Sequence, residues 1–321
     1  MEPNTLRVVP EDIIATYQNG PALVAFHEKL SKMMDEGMTR YQIFKKLSPE
    51  CTYDQVKGRH NAIQHGQLPV ALQGVNYLKE RQLLPLGINH AKFPAFSVLA
   101  SILFWRGVRG GHGPETDTTT SSRLYLMDED QLKIAQPILD ALGCDYMSKS
   151  GKSRSNGTAG KVVNLDDRLG RLVSVFGYPA GSKSANDLVL PGYIEQAILH
   201  LEDEDLTDSL REKLSHTVHD FIGTMLYFRG RFNEGKNATR ALNLYTHPGQ
   251  DAAQEQTTLI ADLMNQTHPG LLRRSTVFEH KVTGTYYGRL RLNASLEGRR
   301  AVIENYRGRI QEIVRTAGRH C

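Results

Sequence analysis

The sequence predicts an α+β protein: a duplicated helix-and-sheet domain with antiparallel strands, preceded by a small all-α unit. Three observations carry this. A segment repeats, since VLASILFWRGVR (98–109) aligns without a gap on FIGTMLYFRGRF (221–232). Both copies are followed by the same order of strand, helix, two strands and helix. Ahead of the repeat, residues 20–66 hold three short amphipathic segments separated by caps and turns.

Residues 1–19 show no sustained period and are expected to form a loose arm or short helix. GPALVAFHEKLSKMMDEG then places Leu23, Phe26, Leu30 and Met33/Met34 near helical spacing, with Gly37 as a stop. Thr39 caps YQIFKKL, the turn SPEC follows, and Thr52 caps YDQVKGRHNAIQHG. Three helices with a tight turn before the third make the helix-turn-helix pattern over 20–66. Val56, His60 and Ile63 share one face of the third helix. That leaves Tyr53, Gln55, Lys57, Arg59 and Gln64 to reach a groove of DNA, glutamine toward adenine and the cations toward guanine or phosphate. A three-helix bundle that is merely polar outside carries the same pattern.

Residues 67–95 contain a helix over 70–81 and then Pro85, Gly87 and Pro94, which mark a connector and a domain boundary. The first repeat is expected over 96–197. The second, with its C-terminal helix, is expected over 198–321. Internal pseudo-two-fold symmetry of this kind removes the need for a homodimer, and a monomer is expected.

The strands should alternate apolar inside and polar outside. In TGTYYGRLRLN, Tyr287, Arg289, Arg291 and Asn293 oppose Gly288, Leu290 and Leu292. In SSRLYLM, Arg123 and Tyr125 oppose Leu124 and Leu126. In ATRALNLYT, Asn243 and Tyr245 oppose Leu242 and Leu244. Any half-buried antiparallel sheet alternates this way; the enrichment in Arg, Asn and Tyr favours a nucleic-acid surface. Arg273, Arg274 and Lys281 add charge on the adjoining strand and turn. Lys152, Arg154 and Lys161 lie in the basic loop GKSRSNGTAGK (151–161), which reads equally as a backbone-binding loop and as a solvated hairpin tip.

Charge distribution agrees. The net charge is +4, and from Leu271 to Cys321 eleven Lys/Arg face four Glu, a local balance of +7. No window reaches the roughly 18 consecutive apolar residues of a membrane span, and the start lacks a signal-peptide pattern. A cytoplasmic protein is expected, nucleoid-associated in a prokaryote, with no membrane partner. Cys51, Cys144 and Cys321 lack zinc spacing and read as reduced thiols, two buried and one on the tail. No Ser/His/Asp order or trusted histidine pair appears; His216 and His219, three apart, read as packing or capping residues.

The two nearly uncharged helices, each ending in an aromatic followed by Arg-Gly, resemble the motif helices of the LAGLIDADG homing endonucleases in their two-motif, single-chain form. The resemblance covers about 96–310. YPAGSKSANDLVLPGYI (178–194) is similar to the family's segment that closes a repeat. The resemblance implies that the two helices pack together at the centre beneath a saddle of two antiparallel sheets lying in the major groove of double-stranded DNA. It also implies an acidic residue before each glycine, the two acids holding divalent metals. The glycines match as Gly107 and Gly230, but the acid positions read Arg106 and Arg229.

A guanidinium is permanently cationic and has no lone pair for a metal, so it cannot replace the oxygen ligands of two-metal hydrolysis. No catalytic residue, metal or cofactor is therefore expected, and Arg106 and Arg229 are expected on the DNA backbone, since guanidinium pairs well with phosphate. Cleavage through Asp117 or Glu234 would move a ligand by a turn, about 5 Å, too far for a metal bond. The expected function is sequence-specific binding of duplex DNA, as a transcriptional regulator. RNA is the alternative partner, through a splicing maturase of the same fold, and an active nuclease is the second alternative. The WhiA regulators also resemble such a fusion, with the helix-turn-helix after the LAGLIDADG part rather than before it.

Overall fold

The computed structural model describes residues 6–48, 50–108, 122–152, 159–178, 189–229, 241–293 and 296–319. It opens with β1 (Arg7–Val8) and α1 (Pro10–Ala15), then α2 (Gly20–Asp35), α3 (Arg40–Leu47) and α4 (Tyr53–Gln64). Thr39 and Thr52 each accept from the backbone N–H three residues on, and Gln42 and Gln55 reach back to the cap N–H, so α3 and α4 begin with the same reciprocal cap. The three helices close on a core of their own: Leu30, Met33, Ile43, Leu47 and Val56, flanked by Phe26, Phe44 and Ile63.

The chain continues through α5 (Val70–Glu80) and β2 (Leu86–Gly87) into α6 (Phe93–Arg106). Helix α6 starts ahead of the repeated segment because Pro94 sits in its first turn, where a missing N–H loses nothing. Twelve of its fourteen residues are buried, from Phe93 to Trp105, as expected of a helix that is apolar all round. After it come β3 (Gly107–Val108), β4 (Arg123–Leu126), α7 (Glu129–Leu142), β5 (Tyr146–Lys152), β6 (Ala159–Leu165), α8 (Asp167–Val175) and α9 (Gly192–Leu201). The remainder is α10 (Asp208–Arg229), β7 (Ala241–His247), α11 (Gln250–Thr267), β8 (Leu272–His280), β9 (Thr285–Leu292) and α12 (Leu296–Gly318).

The molecule is thus mixed α+β with antiparallel sheets. Among the described residues one sheet runs β3-β4-β6-β5 and another β7-β9-β8, all pairs antiparallel. Helix α7 packs on the first sheet and α11 on the second, so each sheet has a helix-covered inner face and an outer face. Side chains alternate accordingly: β4 is exposed at Arg123 and Tyr125 and buried at Leu124 and Leu126. In β9, Gly288, Leu290 and Leu292 are buried, and a Cβ on Gly288 would overlap Thr257 of α11. Between the sheets α6 packs against α10, with Trp105 Nε1 donating to the Phe221 carbonyl at 3.3 Å.

The expected arm and connector are built into the main core. Leu6, Val8, Ile13 and Tyr17 join it, as do Ala71, Val75 and Leu78 of α5, and β1 pairs with β2. Arg171 of α8 donates to the Thr16 carbonyl at 2.7 Å and lies 3.6 Å over the Tyr17 ring. Tyr77 is sandwiched between Arg81 at 3.5 Å and Arg168 at 3.7 Å. Isolated apolar residues in such short elements leave no period, yet α1 and α5 pack on each other and on α8. Cys144 is buried, which pushes its thiol up to about 12, and Cys51 is half-buried. Cys321 lies outside the described residues.

Candidate nucleic-acid interface

Helix α4 turns Val56 and His60 inward and leaves Tyr53, Lys57 and Gln64 exposed along one side, at spacings of four and seven residues that keep them on one face. Tyr53 is held edge-on against Phe44 of α3, ring centres 5.4 Å apart. Arg40 Nη2 donates to Asn61 at 2.8 Å, fastening α3 to α4 and adding a cation beside the stripe. Gln55 differs from expectation: its Oε1 accepts the Thr52 N–H at 2.8 Å, so its amide is engaged at the helix cap. Arg59 is half-buried, and after burial itself its charge helps hold His27 below the usual histidine range.

The Arg-Gly helix ends differ from expectation too. Arg106 donates its Nε to the Phe228 carbonyl in the last turn of α10, and its Nη2 lies 2.7 Å from Met127 Sδ. Gln131 Nε2 donates to the same carbonyl at 3.2 Å. A cation bonded to a C-terminal carbonyl of the neighbouring helix is a cap and meets the negative end of its dipole. Arg229 lies 4.4 Å over the Tyr245 ring, half-buried, its Nε without a hydrogen-bond partner among the described residues. Both guanidinium groups make contacts within the protein, Arg106 with a carbonyl and Arg229 with an aromatic ring, where the sequence led us to expect contacts with a phosphate backbone. Gly230, Asp117 and Glu234 lie outside the described residues.

Tyr245 faces inward, a correction with a clear cause. Between Asn243 and Thr246 the pairing of β7 with β9 slips by one residue, and such a bulge rotates the residues beyond it to the other face. Tyr245 therefore donates its hydroxyl to the Phe104 carbonyl and stacks on Trp105, ring planes 6° apart. Burial pushes its phenol well above the usual tyrosine range.

On the first sheet the outer face carries Arg123, Tyr125, Met147 and Lys149, all exposed; the sequence pattern pointed only to the first two. Lys161 is a second correction. It shares the inner side with Val163 and Leu165, and its ammonium pairs with Glu129 of α7 at 3.3 Å. Lys152 closes β5 opposite Ala159, and its side chain is outside the described set, as is Arg154.

The second sheet is richer. On its outer face Arg289 donates Nε to Asn243 Oδ1 at 2.9 Å and Nη2 to the Tyr287 hydroxyl at 3.1 Å. Its guanidinium lies 4.8 Å from the Phe278 ring centre, and Phe278 stacks beside Tyr287 at 5.9 Å. Arg273, Arg274 and Arg291 are exposed at one end of this face, and Lys281 is exposed in the turn between β8 and β9. Phe278 is not among the residues expected from sequence, although its alternation with Thr276 on β8 was a usable signal.

Two further clusters were not foreseen. Ser101 of α6 bonds the Tyr193 hydroxyl at 2.7 Å, and Thr224 of α10 bonds the Tyr306 hydroxyl at 2.8 Å. One turn before Thr224, buried Asp220 receives Arg309 of α12 at 3.1 and 3.3 Å. Beside it His219 stacks on His268 at 4.6 Å, and burial holds both below the usual histidine range, His268 at about 4. Among the described residues no three His, Cys, Asp or Glu side chains converge as a metal site. No helix among them is long and apolar enough to cross a membrane.

No family model matches the chain, and no curated protein matches it. Among solved structures it is similar to full-length DUF199/WhiA from Thermatoga maritima, at 8% identity and a TM-score of 0.35. The match covers 73% of this chain and 62% of that one, less than two thirds of its length. At that score the likeness establishes neither fold nor function.

Proposed function

We propose that the protein is a sequence-specific double-stranded DNA-binding protein, a transcriptional regulator derived from a LAGLIDADG-type homing endonuclease that no longer cuts. The observation that carries this is the α3–turn–α4 unit. Two identically capped helices stand on their own small core, with Tyr53, Lys57 and Gln64 exposed along α4. That arrangement supports reading the unit as a helix-turn-helix, whose second helix would enter the major groove.

The duplicated origin is supported by the paired hydroxyls. Ser101 and Thr224 fall at the same place in the ungapped alignment, and each bonds a tyrosine from a later helix. Loss of cleavage is supported by chemistry: arginine stands at both motif ends, and a guanidinium supplies no metal ligand. In this reading Arg106 and Arg229 replaced the metal centre by fastening the two helix ends.

Selection on random duplexes with structured RNA as competitor tests the proposal. A long duplex motif is expected, degraded at individual positions by Lys57→Ala or Gln64→Ala, each by about 1 to 3 kcal/mol of discrimination. A retained preference for RNA would overturn it. Nicking of the selected site with Mg²⁺ or Mn²⁺ would overturn the non-cutting part alone.

A further inference from the structure

A sheet that presents like charges directly opposite one another loses stability in isolation. Arg274 is registered against Arg291, and the register slips between Leu272 and Arg274, so Arg273 and Arg274 together oppose Arg291. All three are exposed, and none makes an ion pair or side-chain hydrogen bond among the described residues. Glu279, the carboxylate on β8, is registered against Tyr286 and so projects to the other side of the sheet. A bulge that gathers three uncompensated arginines builds a site for an anion with several acceptor oxygens, and phosphate fits that geometry.

The next rungs of the same face have different chemistry. Thr276 opposes Arg289, and Phe278 opposes Tyr287. The Arg289 guanidinium is held in place by Asn243 and the Tyr287 hydroxyl, against the Phe278 ring. These bonds engage the groups that would otherwise read the edge of a base pair: the Asn243 carbonyl oxygen, the Tyr287 hydroxyl and two arginine donors. Besides the Asn243 Nδ2 and Arg289 Nη1 donors, what the face still offers is planar surface. Bases in a duplex have both planes covered by their neighbours, so a planar shelf serves a base that is unpaired and unstacked.

We propose that the outer face of the β7-β9-β8 sheet binds a single strand of nucleic acid, with a backbone phosphate on Arg273, Arg274 and Arg291 and an unpaired base on the Arg289–Phe278–Tyr287 shelf. The proposal rests on the nucleic-acid reading above but not on α4, and the two are separable. It assigns the second sheet a ligand that the helix-turn-helix does not take.

The test uses the full chain, a fluorescent oligothymidine of about a dozen nucleotides, a length within the span one such surface tracks, and the selected duplex, both followed by anisotropy. Wild type is expected to bind the oligothymidine, and Phe278→Leu to weaken that binding about tenfold, the effect of one lost base stack. Duplex binding should weaken less. Arg291→Gln should weaken oligothymidine binding and lower its salt slope by about 0.7, while leaving the melting temperature of the protein unchanged or raised, because repulsion is relieved. A purely structural arginine would lower it. Equal loss on both ligands in Phe278→Leu would overturn the shelf, and if that variant fails to fold, an Arg291→Gln slope equal to wild type would overturn the site. Duplex binding without oligothymidine binding overturns this inference and spares the first; binding of neither removes both.

Discussion

Helices α6 and α10 hold matching places in the two halves and are fastened differently. In α6, the Ser101 hydroxyl and the Ser97 backbone carbonyl meet the Tyr193 hydroxyl through neutral hydrogen bonds, and the half is closed from outside by N-terminal residues, Tyr17 under Arg171 and Tyr77 between two guanidinium groups. In α10, Thr224 meets Tyr306 in the same way, but the position matching Ser97 is Asp220, buried and bonded to Arg309 of the C-terminal helix. The outer sheet faces differ as well: Arg123, Tyr125, Met147 and Lys149 on one, a bulged trio of arginines and an aromatic shelf on the other. The two aligned helices therefore differ where each meets its own neighbours. The first half meets the N-terminal helices, and the second gathers three exposed arginines on one bulge.

The largest effect should separate the two fastenings. Arg309→Met leaves buried Asp220 without its partner and is expected to cost about 3 to 5 kcal/mol in urea unfolding, whereas Ser97→Ala should cost little, because the Ser97 hydroxyl has no hydrogen-bond partner among the described residues. Equal losses would mean the halves are fastened alike. The sheets can be set against each other by salt titration of single-strand binding. Replacing Arg273, Arg274 and Arg291 with Gln should lower the slope by about 2, and Arg123 with Lys149 by clearly less. Arg106→Met should cost about 1 to 2 kcal/mol because it removes a charge-assisted bond to the α10 end, while Arg229→Met costs less. A change in the salt slope of DNA binding in Arg106→Met would return that residue to the phosphate backbone.

The smallest effect is one of pH. His268 is held at about 4, first by burial and then by His219, so the folded protein keeps it neutral while the unfolded chain takes up the proton below about 6.5. Stability should fall as pH drops from about 6.5 to about 4 and level off below. The expected size is on the order of 1 kcal/mol after solvent screening. His268→Gln should flatten thermal melts across that window; an unchanged profile would mean the histidine pair does not contribute.

What was legible in the sequence was whatever repeats at short range. The period of α2, the unbroken apolar run of α6, the caps at Thr39 and Thr52, and the alternation of β4 and β9 all depend on residues a few positions apart. Tyr245 was misread because alternation holds only while two strands keep step, and the slip that turns it inward belongs to its pairing with β9. Lys161 stands in the sequence where the basic loop gives way to a strand, and β6 carries it to the inner side beside Glu129. The Asp220–Arg309 pair joins residues 89 positions apart and leaves no local trace. Leu6, Ile13 and Tyr17 are core residues without a pattern, because elements that short have no room to repeat one.

Trp105 is the chain's single tryptophan, and it lies at the seam of the two halves, stacked on Tyr245 and donating to the Phe221 carbonyl. The protein consequently carries its own optical gauge. Indole emission there reports how closely α6 and α10 are docked, with no added label and no second tryptophan to confuse the signal.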